Sequence, residues 1–299
     1  MNLAELSGVV PALVAVIVPV FVGAWLGWLW TRLGRTFDTA MVSDLVTQIG
    51  TPCLVFNALT KLDVAPAALG QMAAASLASY TLVALLAVAV LLLWRLPFHS
   101  YLPALVFGNA GNMGLPLCLF AFGDLGLALA IAYFAVAVGL QFTVGVWIAA
   151  GAVSLGQVLR MPVLYAVLIA LGFMLAGRRP PAFVANTAEL FAGLTIPLML
   201  MALGVSLGKL RVTAMTRAVA FSLLRLVGGF AAGLAAAWLF GLTGAARGVL
   251  LIQSTMPVAV FNYLFALHYR RSPEEIAGMV VISTLISFAS LPLLLIMVL

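Results

Sequence analysis

Apolar runs long enough to cross a bilayer recur about ten times along this chain, at 7–30, 42–60, 68–94, 101–122, 126–150, 157–176, 183–207, 213–240, 246–268 and 275–298. A hydrocarbon core about 30 Å thick needs roughly 20 helical residues to span it. Inside that core every backbone N–H and C=O has to find its partner within the protein. The expected fold is therefore an all-α polytopic bundle of ten transmembrane helices. Hydrophobic residues make up 65% of the 299 and charged residues 7%, a balance that suits lipid and not water. Residues 1–6 hold Glu5 and no basic residue, so the first run lacks the positive leader of a cleavable signal and is expected to remain as a helix.

The net charge of +6 does not mark a nucleic-acid binder, because the fourteen Lys and Arg form no patch or run. They sort by loop instead. With the N-terminus outside and ten spans, the inner loops hold Arg32, Arg35, Arg95, Arg160, Lys209, Arg211, Arg217, Arg270 and Arg271, and the outer ones Lys61, Arg178, Arg179 and Arg247. That bias is the one that orients helices in a cell membrane, and the even count puts the C-terminus outside as well. Asp44 and Glu189 are expected to favour helix N-termini electrostatically, and Lys61 with Asp63 reads as a solvated edge.

Little reactive chemistry is on offer. Cys53 and Cys118 are isolated, and neither His99 nor His268 has a ligand partner at helical spacing, so no metal or cofactor is expected. No G-x-S-x-G or H-E-x-x-H occurs. The eight acids lie near segment ends, which leaves no intramembrane aspartate pair. An enzyme is a distant alternative.

The fourth run carries the anomaly. Gly108-Asn-Ala-Gly-Asn112-Met-Gly114-Leu-Pro116 packs three glycines, two asparagines and a proline into nine residues of a membrane span. A helix broken at that depth is tolerated only where protein or a water-filled cavity covers the freed backbone. Its second half offers N–H groups and a partial positive charge, its first half carbonyls and a partial negative charge. Asn109 and Asn112 add amides without the cost of a buried full charge. Such a site suits a carboxylate, a small cation held by carbonyls, or both.

The break has a counterpart. A shift of 145 residues puts Gly27 on Gly172, Asp44 on Glu189 and Pro52 on Pro197; a shift of 141 puts Gly114-Leu-Pro116 on Thr255-Met-Pro257 and Asn112 on Gln253. Shifts of 150 or 151 put Asp124 on Glu274 or Glu275. Together they point to two five-helix halves, 1–150 and 151–299, inverted because each half has an odd number of spans. The second break falls at Gln253-Ser254-Thr255-Met-Pro257, followed by Asn262. Proline removes a helical hydrogen bond, and Ser and Thr hydroxyls can re-satisfy the freed carbonyls.

These two motifs carry a resemblance. Asn109-Ala-Gly-Asn112-Met-Gly114-Leu-Pro116-Leu with Phe120-Ala-Phe-Gly-Asp124, and Gln253-Ser-Thr-Met-Pro257-Val-Ala-Val-Phe-Asn262-Tyr with Glu274-Glu275, resemble the fourth and ninth-to-tenth helices of the auxin efflux carrier family, bacterial type, which includes malonate and malate carriers. The resemblance implies the bile acid:sodium symporter-like fold, with crossed broken helices 4 and 9. Helices 1, 2, 6 and 7 (about 7–60 and 157–207) would form a scaffold that often dimerises. Helices 3–5 and 8–10 (about 68–150 and 213–298) would form a moving transport core. Asn109 matches the crossover asparagine that contacts substrate carboxylate, and Pro116 and Pro257 match the crossover prolines. The long central loop of plant members is absent, Gly151 to Arg160 being short. The deep aspartates of related cation/proton antiporters are also absent.

The function this implies is elevator-type transport of a small carboxylate, bound by Asn109, Asn112, Gly114, Pro116, Gln253, Pro257 and Asn262. Sodium or a proton is a possible coupling ion. Asn57, Thr51, Gln141, Ser254 and Thr255 are further candidates for the cavity, although a lone amide in a membrane helix often bonds a neighbouring helix. Arg225 is either a counter-charge to an anionic substrate or a side chain snorkelling to the interface. The alternatives are a sodium-coupled bile-acid-type symporter on the same fold, a gated channel, or a membrane-embedded enzyme.

Overall fold

The computed structural model describes residues 3–61, 65–150, 160–212 and 214–299. Among them all regular structure is helical apart from one isolated backbone bridge. Seven helices are long and apolar enough to cross a membrane: α1 (Leu3–Arg32, from Pro11 onward), α2 (Thr39–Lys61), α3 (Pro66–Leu93), α5 (Ala110–Ala149), α7 (Ala182–Lys209), α8 (Met215–Leu239) and α11 (Pro273–Val298). The shorter ones are α4 (Phe98–Val106), α6 (Pro162–Leu175), α9 (Gly244–Ser254) and α10 (Val260–His268). The sixth expected run began at 157, and residues 151–159, with the linker between the halves, lie outside the described residues.

The helix breaks have local causes. Gly123 has a φ of 62° inside α5, a left-handed conformation that costs a residue with a Cβ about 1–2 kcal/mol. It divides α5 into a short first segment and a long second one. At Pro257 the chain has no N–H to continue α9, and α10 restarts at Val260. The fourth run breaks after Val106 and restarts at Ala110.

Two groups of helices pack chiefly on their own members. In one, α1 lies along α7, and α2 runs against α6 and α7. The α1–α7 approach is close because Gly27 and Gly204 face backbone: a methyl at either would collide with the carbonyl of Met201 or Ala24. Small residues at helix contacts are how membrane helices gain van der Waals contact in the absence of a hydrophobic drive. In the other group, α3 and α11 flank α8, while α9 packs on α5. The outer faces are apolar, with Trp25 and Trp238 among the exposed side chains.

Polar ties lie at the helix ends. Lys61 on α2 pairs with Glu189 on α7 at 3.0 Å. Arg217 on α8 pairs with Glu275 on α11 at 2.8 Å, and the Tyr101 hydroxyl on α4 donates to the same carboxylate at 2.9 Å. These contacts correct the expectation for Asp44 and Glu189. The residue capping α2 is Asp38, whose carboxylate accepts from the N–H of Met41 at 2.9 Å, while Asp44 lies beyond the first turn. Glu189 pairs with Lys61 rather than serving a helix start, and both side chains are exposed, so Lys61 stays at a solvated edge while being tied across helices. Asp63 lies outside the described residues.

Candidate substrate site at the helix crossover

The two breaks meet. Gly108 and Val258 face each other in an antiparallel bridge. The N–H of Asn109 donates to the carbonyl of Pro257 at 2.7 Å, and the N–H of Ala259 donates to the carbonyl of Phe107 at 3.2 Å. Each interrupted helix thus supplies bonds that the other lost, which is how irregular backbone survives without water at this depth. The Asn262 amide reinforces the pairing. It donates to the Phe107 carbonyl at 2.8 Å and accepts from Gln141 Nε2 at 3.2 Å. Ser283 on α11 accepts the N–H of Val258 at 3.0 Å.

This register differs from the one read in the sequence. Pro257 sits in the crossover itself, whereas Pro116 sits at the start of the α-helical part of α5, beyond the π-helical turn Ala110–Gly114. A proline there costs little, because the first N–H groups of a helix lack partners in any case. The expectation that Pro116 is a crossover proline, equivalent to Pro257, is therefore corrected. The bridge instead aligns Gly108 with Val258, an offset that also puts Asn112 on Asn262 and Asp124 on Glu274.

Beside the crossover lies a cavity of about 620 Å³. Three π-helical turns contribute to its wall: Val46–Gly50 in α2, Ala110–Gly114, and Gln141–Gly145 in α5. Such turns are rare, and they cluster at functional sites because they swing a few side chains and backbone groups out of the helical register. Nothing in the residue pattern marks the first and third. Asn109, Asn112, Gln141 and Thr51 reach the cavity, with Thr47 and Gln48 of the α2 turn beside them. Phe134, Phe142, Phe261 and Phe265 supply apolar wall, and Arg160, His268 and Tyr269 stand at one end. No acidic side chain among the described residues lines it.

The remaining candidates are elsewhere. Gly114 faces the buried amide of Gln253, where a methyl group would collide with Oε1. Pro116, Gln253, Pro257 and Asn262 are buried and do not line the cavity. The Ser254 and Thr255 hydroxyls donate to the Leu251 carbonyl at 3.2 and 2.7 Å, the back-bonding expected of hydroxyls near a broken turn. Asn57 is half-buried in α2 away from the lining residues. Arg225 does not snorkel: it is 1% exposed, in the interior behind Gly108.

Electrostatically the cavity favours anions. The helical segments starting at Ala110 and Val260 direct their N-terminal ends toward it, since Ala110, Gly111, Asn112, Ala259 and Phe261 all line it. Those ends carry about half a positive charge each and N–H groups without intrahelical partners. Asn109 is 5% exposed, and its Nδ2 has no partner among the described residues.

A polytopic helical bundle whose interrupted helices cross beside a cavity defines a class, the integral membrane proteins with a site at broken helices. Comparison with known proteins points in the same direction. Residues 147–295 match the family described as membrane transport protein. An uncharacterized transporter of Methanocaldococcus jannaschii is 28% identical over 196 residues, 60% of this chain. The match spans 62% of that relative's length. Over its second half the chain is thus similar to this membrane transport protein family, that of the auxin efflux carriers, and it is similar to a relative named as a transporter.

Proposed function

We propose that the chain is a secondary active transporter of small organic anions, with the carboxylate held at the crossover by Asn109, Asn112 and the two half-helix N-termini. The observation that carries this reading is the convergence of those two positive helix ends on one cavity whose described lining contains no acid. Helix N-termini are ready-made anion sites. The four phenylalanines and the volume of about 620 Å³ favour a carboxylate with an apolar body over a compact dicarboxylate such as malonate or malate.

The transport cycle we infer is of the elevator type. The ten spans of this reading come from dividing α5 at Gly123 and counting α4 with the first part of α5, and α9 with α10, as single broken spans. The register that pairs Gly108 with Val258 supports two inverted repeats. The grouping of α1, α2, α6 and α7 supports a scaffold against which the other helices move, and a homodimer through that scaffold belongs to the same reading. With both termini outside, Arg160 and His268, which line the cavity, lie toward the cytoplasm, and from this we infer an inward-open conformation.

The test is a thermal-shift screen of purified protein against aromatic, aliphatic and dicarboxylic acids, with sodium and pH varied independently. An apolar-bodied monocarboxylate is expected to stabilise the protein. Asn109→Ala is expected to weaken that binding about 10- to 100-fold, the worth of a hydrogen bond to a charged group, while the protein still folds. Normal uptake by this variant in proteoliposomes would falsify the site.

A further inference from the structure

The side chain of Arg225 lies in the middle of α8 with Nε, Nη1 and Nη2 all buried and all without a hydrogen-bond partner among the described residues. Its position is defined by two glycines. A methyl at Gly108 would collide with Nη2 and stand 2.9 Å from the carbonyl oxygen of Met256; one at Gly229 would collide with the carbonyl of Ser254 and stand 2.9 Å from Nη1. The guanidinium is thus wedged between the fourth-run break and α8, facing the residues where α9 ends. Terminal carbonyls of a helix carry partial negative charge and lack intrahelical partners. The Val258 N–H that a continuing helix would direct to Ser254 goes to Ser283 instead.

A full charge at this depth is costly, about 2.5–3.5 kcal/mol even on the mildest insertion scale. No carboxylate among the described residues offsets it nearby. The ionisable groups that influence it are the phenols of Tyr80 and Tyr133, and Glu275 is engaged by Arg217. The charge therefore lies near backbone dipoles without hydrogen-bonding to them, beside the same groups that would coordinate an exchangeable cation at a broken helix.

We propose that Arg225 is a resident cation of the crossover. Its guanidinium balances the carbonyl end of α9 permanently and adds positive potential behind Gly108, so the carrier needs no co-bound sodium to hold an anion. This rests on the carrier reading above, but its test reads ion binding in the absence of substrate. The thermal midpoint of the purified protein is measured in sodium chloride and in N-methyl-D-glucamine chloride at equal ionic strength, for the unaltered chain, R225K and R225Q.

The unaltered chain and R225K are expected to show the same midpoint in both salts. R225Q is expected to unfold earlier in the organic cation and to gain at least about 2 °C in sodium, as a newly ligandable site would give. Sodium stabilisation of the unaltered chain, or a folded R225Q indifferent to sodium, overturns the proposal. Should R225Q yield no folded protein, radiolabelled sodium binding to the unaltered chain decides: saturable binding overturns the proposal, and its absence supports it. Carboxylate binding that requires sodium would sink this inference and leave the carrier reading intact, whereas sodium indifference without carboxylate binding would do the reverse.

Discussion

Asn109, Asn112 and Asn262 are three amides at the breaks, and packing gives them different work. Asn262 is saturated, donating to the Phe107 carbonyl and accepting from Gln141. Asn109 lines the cavity and its buried Nδ2 has no partner among the described residues, and Asn112 is half-buried in the cavity wall. Asn262→Ala leaves the buried Gln141 Nε2 without its partner and the Phe107 carbonyl with only the Ala259 N–H, which costs about 1–3 kcal/mol. The expected result is a lowered thermal midpoint with or without ligand, in contrast to Asn109→Ala, which acts on binding. Cys118 is fully buried, so a maleimide should leave it unmodified in the folded protein and modify it after denaturation. Mass spectrometry of peptides containing Cys118 checks this, and substantial labelling of the native state would refute the packing described.

At the scale of elements, the breaks follow from three devices of unequal strength. Pro257 removes a donor, the Gly108–Gly111 stretch lets two backbones approach, and Gly123 adopts a left-handed φ. Gly123→Ala and Gly139→Ala separate conformation from packing. An added methyl meets nothing within 4 Å at either site, but only Gly123 has a positive φ. The expected costs are about 1–2 kcal/mol at Gly123 and none at Gly139, where a helical alanine is favoured by up to about 1 kcal/mol. Chemical denaturation of both variants measures the difference. The sequence also explains why Pro116 misled: prolines at the first turn of a helix and within a break look alike in a string. They differ only in whether an N–H was needed there.

For the molecule as a whole, the cavity is bounded by π-helical turns from both helix groups, so relative movement of the groups would reshape it. Under the proposed orientation it opens toward Arg160 and His268. An Asn112→Cys variant is therefore expected to react with a membrane-impermeant thiol reagent from the cytoplasmic side in inside-out vesicles, and not in right-side-out ones while the carrier rests inward-open. A stabilising carboxylate should slow that reaction. Equal labelling from both sides would argue for a channel-like pore rather than alternating access.

Composition and the spacing of apolar runs determined the solvent, the helical class and the two places where helices break, because a bilayer leaves the backbone few choices. Motif resemblance pointed to a family to which the comparisons also find similarity. What the tertiary structure alone decided was partnership. It joined Gly108 to Val258, turned Asn262 inward as a brace and brought the turns at Val46 and Gln141 to the cavity. It also buried Arg225 against carbonyl ends instead of letting it snorkel. None of these is a property of a residue or its neighbours in sequence. Each depends on which distant groups the packing of helices across the chain brings together.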